Sequence, residues 1–223
     1  MTTVRRGLLA ASGVLSSVLV IISTLVAVPG TDELLDEPGP MGDLLGRVAA
    51  APDRTAAAGL MTVLAVLLLI PFVCAAAAPV RGRGAAIVTC GAGMAAAGFA
   101  CAAVANGFWF NNVRAVAPAL ADHREVMVQF LIGGTWPLAV FGIGEVLLLP
   151  LGWILFAIGM GRSRLVSVWQ AVLLGLSLPV ALVLPDRLAA IGGLLLLVST
   201  LLVGRSVILR RPEGQAAPNL VPN

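Results

Sequence analysis

This chain is short of charge and of the side chains that most often carry chemistry. Only 11% of its 223 residues are charged, it has no tyrosine, one histidine and three cysteines, and all 14 basic residues are arginine. Soluble domains are about 25% charged and about 45–50% apolar; here the apolar share is 59% and the mean hydropathy +1.02. A water-soluble fold could not hide that much apolar surface. One histidine cannot build a metal site, and His123, flanked by Asp122, Arg124 and Glu125, reads as an ordinary surface residue. Cys74, Cys90 and Cys101 lie in apolar stretches with no C-x-x-C spacing and no neighbouring histidine, so they are expected to pack as small side chains. A phosphate-binding glycine loop, a nucleophile elbow and an H-E-x-x-H pair are also missing. No metal and no cofactor are expected. The net charge of +3 does not point to nucleic acid, because the arginines occur in scattered pairs and form no basic stripe.

What the sequence does have is six long apolar stretches with the charges crowded between them. A run of about 20 apolar residues spans a bilayer as a helix, and charge at its centre is costly. The expected fold is all-α: a polytopic transmembrane bundle of six helices in one domain, 1–209, followed by a polar tail, 210–223. The spans fall at about 7–28, 55–78, 85–106, 130–160, 165–184 and 188–204. The first is too long for the apolar core of a secretory signal and is read as a retained helix. The third is nearly all small residues, Gly91, Gly93, Ala95, Ala96, Ala97, Gly98 and Ala100. In lipid, small residues let helix backbones approach and pack by dispersion, so this helix is expected at the centre of the bundle. The fourth stretch is longer than one crossing needs and contains Pro137 and Pro150, which suggests an interrupted or tilted helix.

Counting charge on alternate sides gives an orientation. Arg5, Arg6, Arg81, Arg83, Arg162, Arg164, Arg205, Arg210 and Arg211 share one side with Glu213, against five arginines and nine acidic residues on the other. The positive-inside rule then puts both termini in the cytoplasm. Arginine to the exclusion of lysine, with abundant alanine and glycine, reads as the codon usage of a GC-rich bacterial genome, so the expected location is the bacterial cytoplasmic membrane. The acidic linker between the first two spans faces outward, with a short helix at 41–50. Within it Asp32-Glu33-Leu34-Leu35-Asp36 has the spacing of an Asp-rich Mg2+-diphosphate motif. Its Pro and Gly context and its side of the membrane favour a solvated loop.

Glu145 is the one ionisable side chain inside any of these spans. A lone intramembrane carboxyl is a functional-site hypothesis by default. Pro150 sharpens it, since a proline there cannot donate to the Val146 carbonyl and leaves an acceptor one residue from the acid. The structural alternative is a neutral glutamate hydrogen-bonded across the bundle, to Thr62, Thr89 or Gln170, that only fixes packing. Asn111, Asn112 and Arg114, following the aromatic belt Phe108-Trp109-Phe110, are candidates to bind an anionic headgroup at the outer surface, with plain interfacial anchoring as the alternative reading. Gln170 is a further candidate binding residue at the inner boundary.

The segment Arg162-Ser163-Arg164-Leu165-Val166-Ser167-Val168-Trp169 resembles the S-R-L-V-P-R-W turn of a group of small six-span bacterial integral membrane proteins of unknown function. It departs from them at Ser167 and Val168, where proline and arginine are common. The resemblance implies a fold and no activity. The reading that follows is an integral membrane protein that accommodates a lipid-like or isoprenoid-like molecule between helices, with Glu145 as polar contact. If it is an enzyme, Glu145 is the proton donor of an acid-triggered isomerisation or cyclisation. Two other readings stand beside it: a proton-linked permease, exporter or immunity component, and a structural subunit. Expected partners are membrane lipids and a hydrophobic small molecule; the oligomeric state is open.

Overall fold

A computed structural model describes residues 3–28, 38–116, 136–184 and 188–209. The acidic motif at 32–36, the 122–125 cluster with His123, the 185–187 turn and the 210–223 tail lie outside them. The described residues form seven helices and no strand: α1 (Thr3–Val26), α2 (Pro38–Ala50), α3 (Pro52–Ala77), α4 (Ala85–Val116), α5 (Trp136–Arg162), α6 (Val168–Val183) and α7 (Ala189–Leu209). Four segments, Pro52–Ala77, Ala85–Val116, Val140–Arg162 and Ala189–Ile208, are long and apolar enough to cross a membrane, as a multi-pass membrane protein requires. Ala11–Val26 and Val168–Val183 are apolar but shorter.

The six apolar helices pack as a closed ring in the order α1, α3, α4, α5, α6, α7 and back to α1. Glycines set the close approaches around it. A methyl group on Gly13 would meet the Phe72 ring, one on Gly59 would meet Phe110, and one on Gly193 would meet Ile21, at 2.5, 2.7 and 2.8 Å. Gly192 is likewise held against the Ala181 backbone. The α4–α5 pair is the tightest. Along it Val88 faces Gly159, Gly91 faces Phe156, Ala95 faces Gly152, Gly98 faces Leu149 and Cys101 faces Gly144, an antiparallel register with small residues on both sides.

The ring arrangement changes the expected place of α4. It is not enclosed on all sides: Gly93, Ala97, Ala100, Val104 and Phe108 form an outward stripe, while Gly91, Ala95, Gly98 and Ala102 face the protein. Some of its small residues therefore serve packing and others line the outer surface. The cysteines divide similarly. Cys101 packs against Gly144, whereas Cys74 and Cys90 are exposed on the outer surface, contrary to the packing role expected of all three. Within the described part of the fourth stretch there is no break, since α5 continues from Trp136 through Pro150, just as α3 continues through Pro71 and α6 through Pro179; residues 130–135 lie outside the described residues. One missing N–H does not unfold a helix when the surroundings offer its other backbone groups no water to bond instead.

Large apolar side chains cover the outside at helical spacing: Leu8 and Leu15 on α1, Leu60, Leu64 and Leu67 on α3, Ile143, Val146 and Leu147 on α5, and Leu194, Val198 and Leu201 on α7. Such a surface suits hydrocarbon, where an apolar exterior is not penalised. Inside, Phe72, Phe99, Leu149, Trp153, Phe156, Leu174 and Leu196 belong to one continuous core. Trp153 is its hub: it meets Phe99 edge-on at 5.7 Å between ring centroids, lies 5.9 Å from Phe156, and donates its indole N–H to the Leu174 carbonyl at 2.6 Å.

Hydroxyl groups tie α1 to its neighbours. Ser16 donates to the Ala65 carbonyl at 2.7 Å, Ser23 and Thr62 are 2.6 Å apart, and Ser17 and Thr200 are 3.2 Å apart. Together with Gly193 against Ile21, these pairs make α1 antiparallel to both α3 and α7. With α4 antiparallel to α5, the start of α1, the α3–α4 turn, the α5–α6 turn and the end of α7 all lie at one end of the ring. That end carries Arg5, Arg6, Arg81, Arg83, Arg162, Arg164 and Arg205. At the opposite end α2 buries Leu44, Leu45 and Val48 and packs on α3 and α4. There Arg54 also donates to the Val26 carbonyl at 3.2 Å, placing a cation on the last turn of α1.

Candidate functional site

Glu145 sits on α5 one turn before the buried Leu149 and two turns before Trp153, on the side that meets α4. The antiparallel register brings Asn106 opposite it. Asn106 Nδ2 donates to Glu145 Oε1 at 3.2 Å and to the Ala102 carbonyl, one turn back on its own helix, at 2.8 Å. Both side chains are half-buried. Among the described residues Asn106 is the one hydrogen-bond partner of the carboxyl group, and it bonds Oε1 and not Oε2.

The expected cross-bundle partners are engaged or placed elsewhere. Thr62 bonds Ser23 and donates to the Ala58 carbonyl at 3.0 Å, and Thr89 is exposed near the opposite end of α4. Gln170 Oε1 accepts the Ser167 N–H at 2.9 Å and closes a capping box at the start of α6. A side chain that completes a helix N-terminus has a local structural task, and Gln170 is far from Glu145 in the fold. Asn111, Asn112 and Arg114 belong to the last turns of α4, which continues as helix beyond residue 106 to Val116. Asn111 and Arg114 are exposed and Asn112 is half-buried. They are therefore grouped with each other, a turn or more beyond Asn106.

Asn106 is the site residue that sequence reasoning misses. In the sequence it looks like the end of a span, and the signal that could pair it with Glu145 is the antiparallel register of small residues on the two helices. Its position also sets the depth of the acid. Asn106 precedes the exposed Phe108 by two positions, about 3 Å along a helix axis. The carboxyl thus lies beside the second half of α4, near Phe108, while Phe110 is turned inward against Gly59.

Around it the outer face of α5 is apolar: Val140, Ile143, Val146, Leu147, Leu151 and Ile154 are all exposed. The arrangement offers one carboxyl group oriented by one amide, at the edge of a long apolar track. It can accept or donate a hydrogen bond and can hold a proton. Among the described residues no three His, Cys, Asp or Glu side chains come together as a metal site would need.

No family model, curated protein or solved structure matches this chain. The resemblance at Arg162–Trp169 therefore assigns no family, but the structure explains the segment as a turn. Ser163 Oγ bonds the Met160 carbonyl at 2.8 Å, Arg164 adopts φ 54°, Leu165 and Val166 are buried, and Ser167 begins α6.

Proposed function

We propose that this chain is a six-span integral membrane protein, with α1, α3, α4, α5, α6 and α7 crossing the bacterial cytoplasmic membrane and both termini in the cytoplasm. We place the function at Glu145 and Asn106, which hold the polar group of a lipid-like or isoprenoid-like molecule whose chain lies along the outer face of α5. The gathering of arginines at one end of the ring supports the orientation. The observation that carries the ligand reading is the half-committed carboxyl: one oxygen is bonded to Asn106, the other has no described partner, and exposed aliphatic residues continue from it.

A hydroxyl group at this point would exchange hydrogen bonds with Glu145 while its hydrocarbon stayed in lipid. Where the ligand carries an alkene within reach, the carboxylic acid would protonate one alkene carbon, leaving the positive charge on the other, and the carboxylate would take a proton from the next carbon beyond that cation. That sequence returns Glu145 to its starting form and shifts the double bond. Asn106 would be a positioning residue, holding the acid through Oε1.

The test is photolabelling of purified protein in nanodiscs with a diazirine-bearing prenol, with a diazirine phosphatidylcholine as the comparison. Prenol label concentrated on α5 in the parent protein, and lost in Glu145→Ala and Asn106→Leu with helicity retained, supports the reading. Equal labelling of all three proteins overturns it. Mass analysis of the recovered prenol reads isomerisation separately from binding.

A further inference from the structure

The arginine-rich end holds a second feature, independent of Glu145. The α3–α4 turn and the α5–α6 turn are in direct contact there. A methyl group on Gly84, itself at φ 88°, would lie 3.1 Å from both the Gly159 carbonyl oxygen and the Ser163 nitrogen and 3.3 Å from Arg162 Cβ. Each turn carries two arginines, Arg81 and Arg83 on one, Arg162 and Arg164 on the other, and all four are exposed. The three acidic residues that the structure describes are elsewhere: Asp43 and Asp53 at the opposite end, and Glu145 within α5.

Two of these arginines already have backbone tasks. Arg81 Nη1 donates to the Ala78 and Val80 carbonyls at 2.8 and 3.0 Å, which closes the end of α3. Arg164 occupies the left-handed region at φ 54°, where its N–H bonds the Gly161 carbonyl at 3.1 Å. Glycine is the usual residue in that conformation because an L side chain is strained there. The α5–α6 turn thus places Arg164 at the same end of the ring as the other three arginines of the two turns.

Beside the arginines the surface becomes apolar. Val168 and Trp169, 75% and 59% exposed, open α6, and Val172 and Leu176 continue the same outward line. An exposed tryptophan at the end of an apolar helix marks the interface between headgroups and chains. Positive charge followed at once by an indole and an aliphatic track matches a molecule that is anionic at one end and hydrocarbon at the other.

We propose that the Arg81–Arg83 and Arg162–Arg164 turns form a binding site for the phosphate of an anionic phospholipid, with its acyl chain against Trp169, Val172 and Leu176. Guanidinium groups pair with phosphate through two parallel N–H bonds, and basic pockets between membrane helices recognise anionic headgroups.

Native mass spectrometry of the protein taken from nanodiscs of phosphatidylglycerol and phosphatidylcholine tests this. The parent protein is expected to retain phosphatidylglycerol in preference to phosphatidylcholine. Arg83→Gln with Arg162→Gln, which spares Arg81 and Arg164 with their backbone tasks, is expected to lower that retention about tenfold or more. Arg83→Lys with Arg162→Lys should fall between, keeping charge but not the paired bonds. Arg205→Gln, at the same end on α7, should retain the lipid as the parent does. Circular dichroism and labelling of an added tag confirm that each variant is folded with the parent's topology. Equal retention of the two lipids, equal retention by parent and double variant, an equal loss in Arg205→Gln, or release of the lipid by excess inorganic phosphate would each overturn the proposal. Loss here with photolabelling at Glu145 intact, or the reverse, separates this site from the one proposed above.

Discussion

Asn106 uses one amide nitrogen twice, bonding the Ala102 carbonyl of its own helix at 2.8 Å and Glu145 Oε1 of the neighbouring helix at 3.2 Å. The first bond fixes the amide and the second presents it to the acid, so the orientation of Glu145 depends on α4 as much as on α5.

Glu145→Gln keeps an oxygen that can accept from Asn106, so its stability in detergent should stay close to that of the parent. Glu145→Ala and Asn106→Ala should each lose the bond. A double-mutant cycle between them should give a coupling of about 0.6 kcal/mol, the typical worth of a hydrogen bond between membrane helices. Unfolding in mixed micelles measures it. A coupling of zero would mean that the two side chains do not interact, whereas retained stability with lost ligand labelling in Glu145→Gln would assign the acid to function.

Gly91 and Gly93 are two residues apart on α4 and should respond to alanine in opposite directions. A methyl on Gly91 would collide with the Phe156 nitrogen of α5, a backbone atom that cannot swing aside, whereas one on Gly93 meets nothing within 4 Å. Gly91→Ala should destabilise by about 1–3 kcal/mol as the helices are forced apart. Gly93→Ala should be neutral or stabilising by up to about 1 kcal/mol, because alanine has the better helix propensity. Equal effects of the two, read as thermal unfolding in the same detergent, would contradict the α4–α5 register.

The same pair marks how far the sequence is legible. Composition and the spacing of charge identify an all-α chain with apolar helices, because the cost of charge in hydrocarbon acts on every span alike. They do not say which small residues of α4 face a neighbour. Gly91 and Gly93 are equivalent until the α5 register is known, so small residues alone point to a central helix where the structure has one member of a ring. Glu145 stands out as an isolated acid, but Asn106 does not, since an amide at the end of an apolar stretch looks like an interfacial residue. Gln170 reads from the sequence as a candidate binding residue, and the structure adds that its Oε1 accepts the Ser167 N–H. Local spacing contains that capping box; the Asn106 pairing needs the tertiary register.

Trp153 joins α4, α5 and α6 through its contact with Phe99 and its bond to the Leu174 carbonyl. Trp153→Phe removes the N–H and leaves a smaller ring in a site that is fully buried. The Leu174 carbonyl also accepts from Ser177 Oγ at 2.7 Å, so it is not left without a partner. The expected loss is therefore about 1–3 kcal/mol, from the bond and the incomplete packing together, and not the larger penalty of a stranded buried acceptor. Fluorescence of the other three tryptophans should keep its emission maximum if the ring of helices survives. A red shift at all of them would show that Trp153 holds the whole bundle and not only its α4–α6 side.

Arg164→Gly separates stability from binding. Relief of the left-handed strain at φ 54° should stabilise the α5–α6 turn by about 1 kcal/mol, since glycine adopts that conformation without a Cβ clash. Removal of the guanidinium should at the same time weaken retention of an anionic lipid. A substitution that raises the unfolding midpoint in pure zwitterionic detergent while lowering phosphatidylglycerol retention is hard to obtain by general damage to the fold. If Arg164→Gly instead lowers the midpoint in that detergent, the arginine is a structural part of the turn, and the contacts of its side chain outweigh the strain of its backbone.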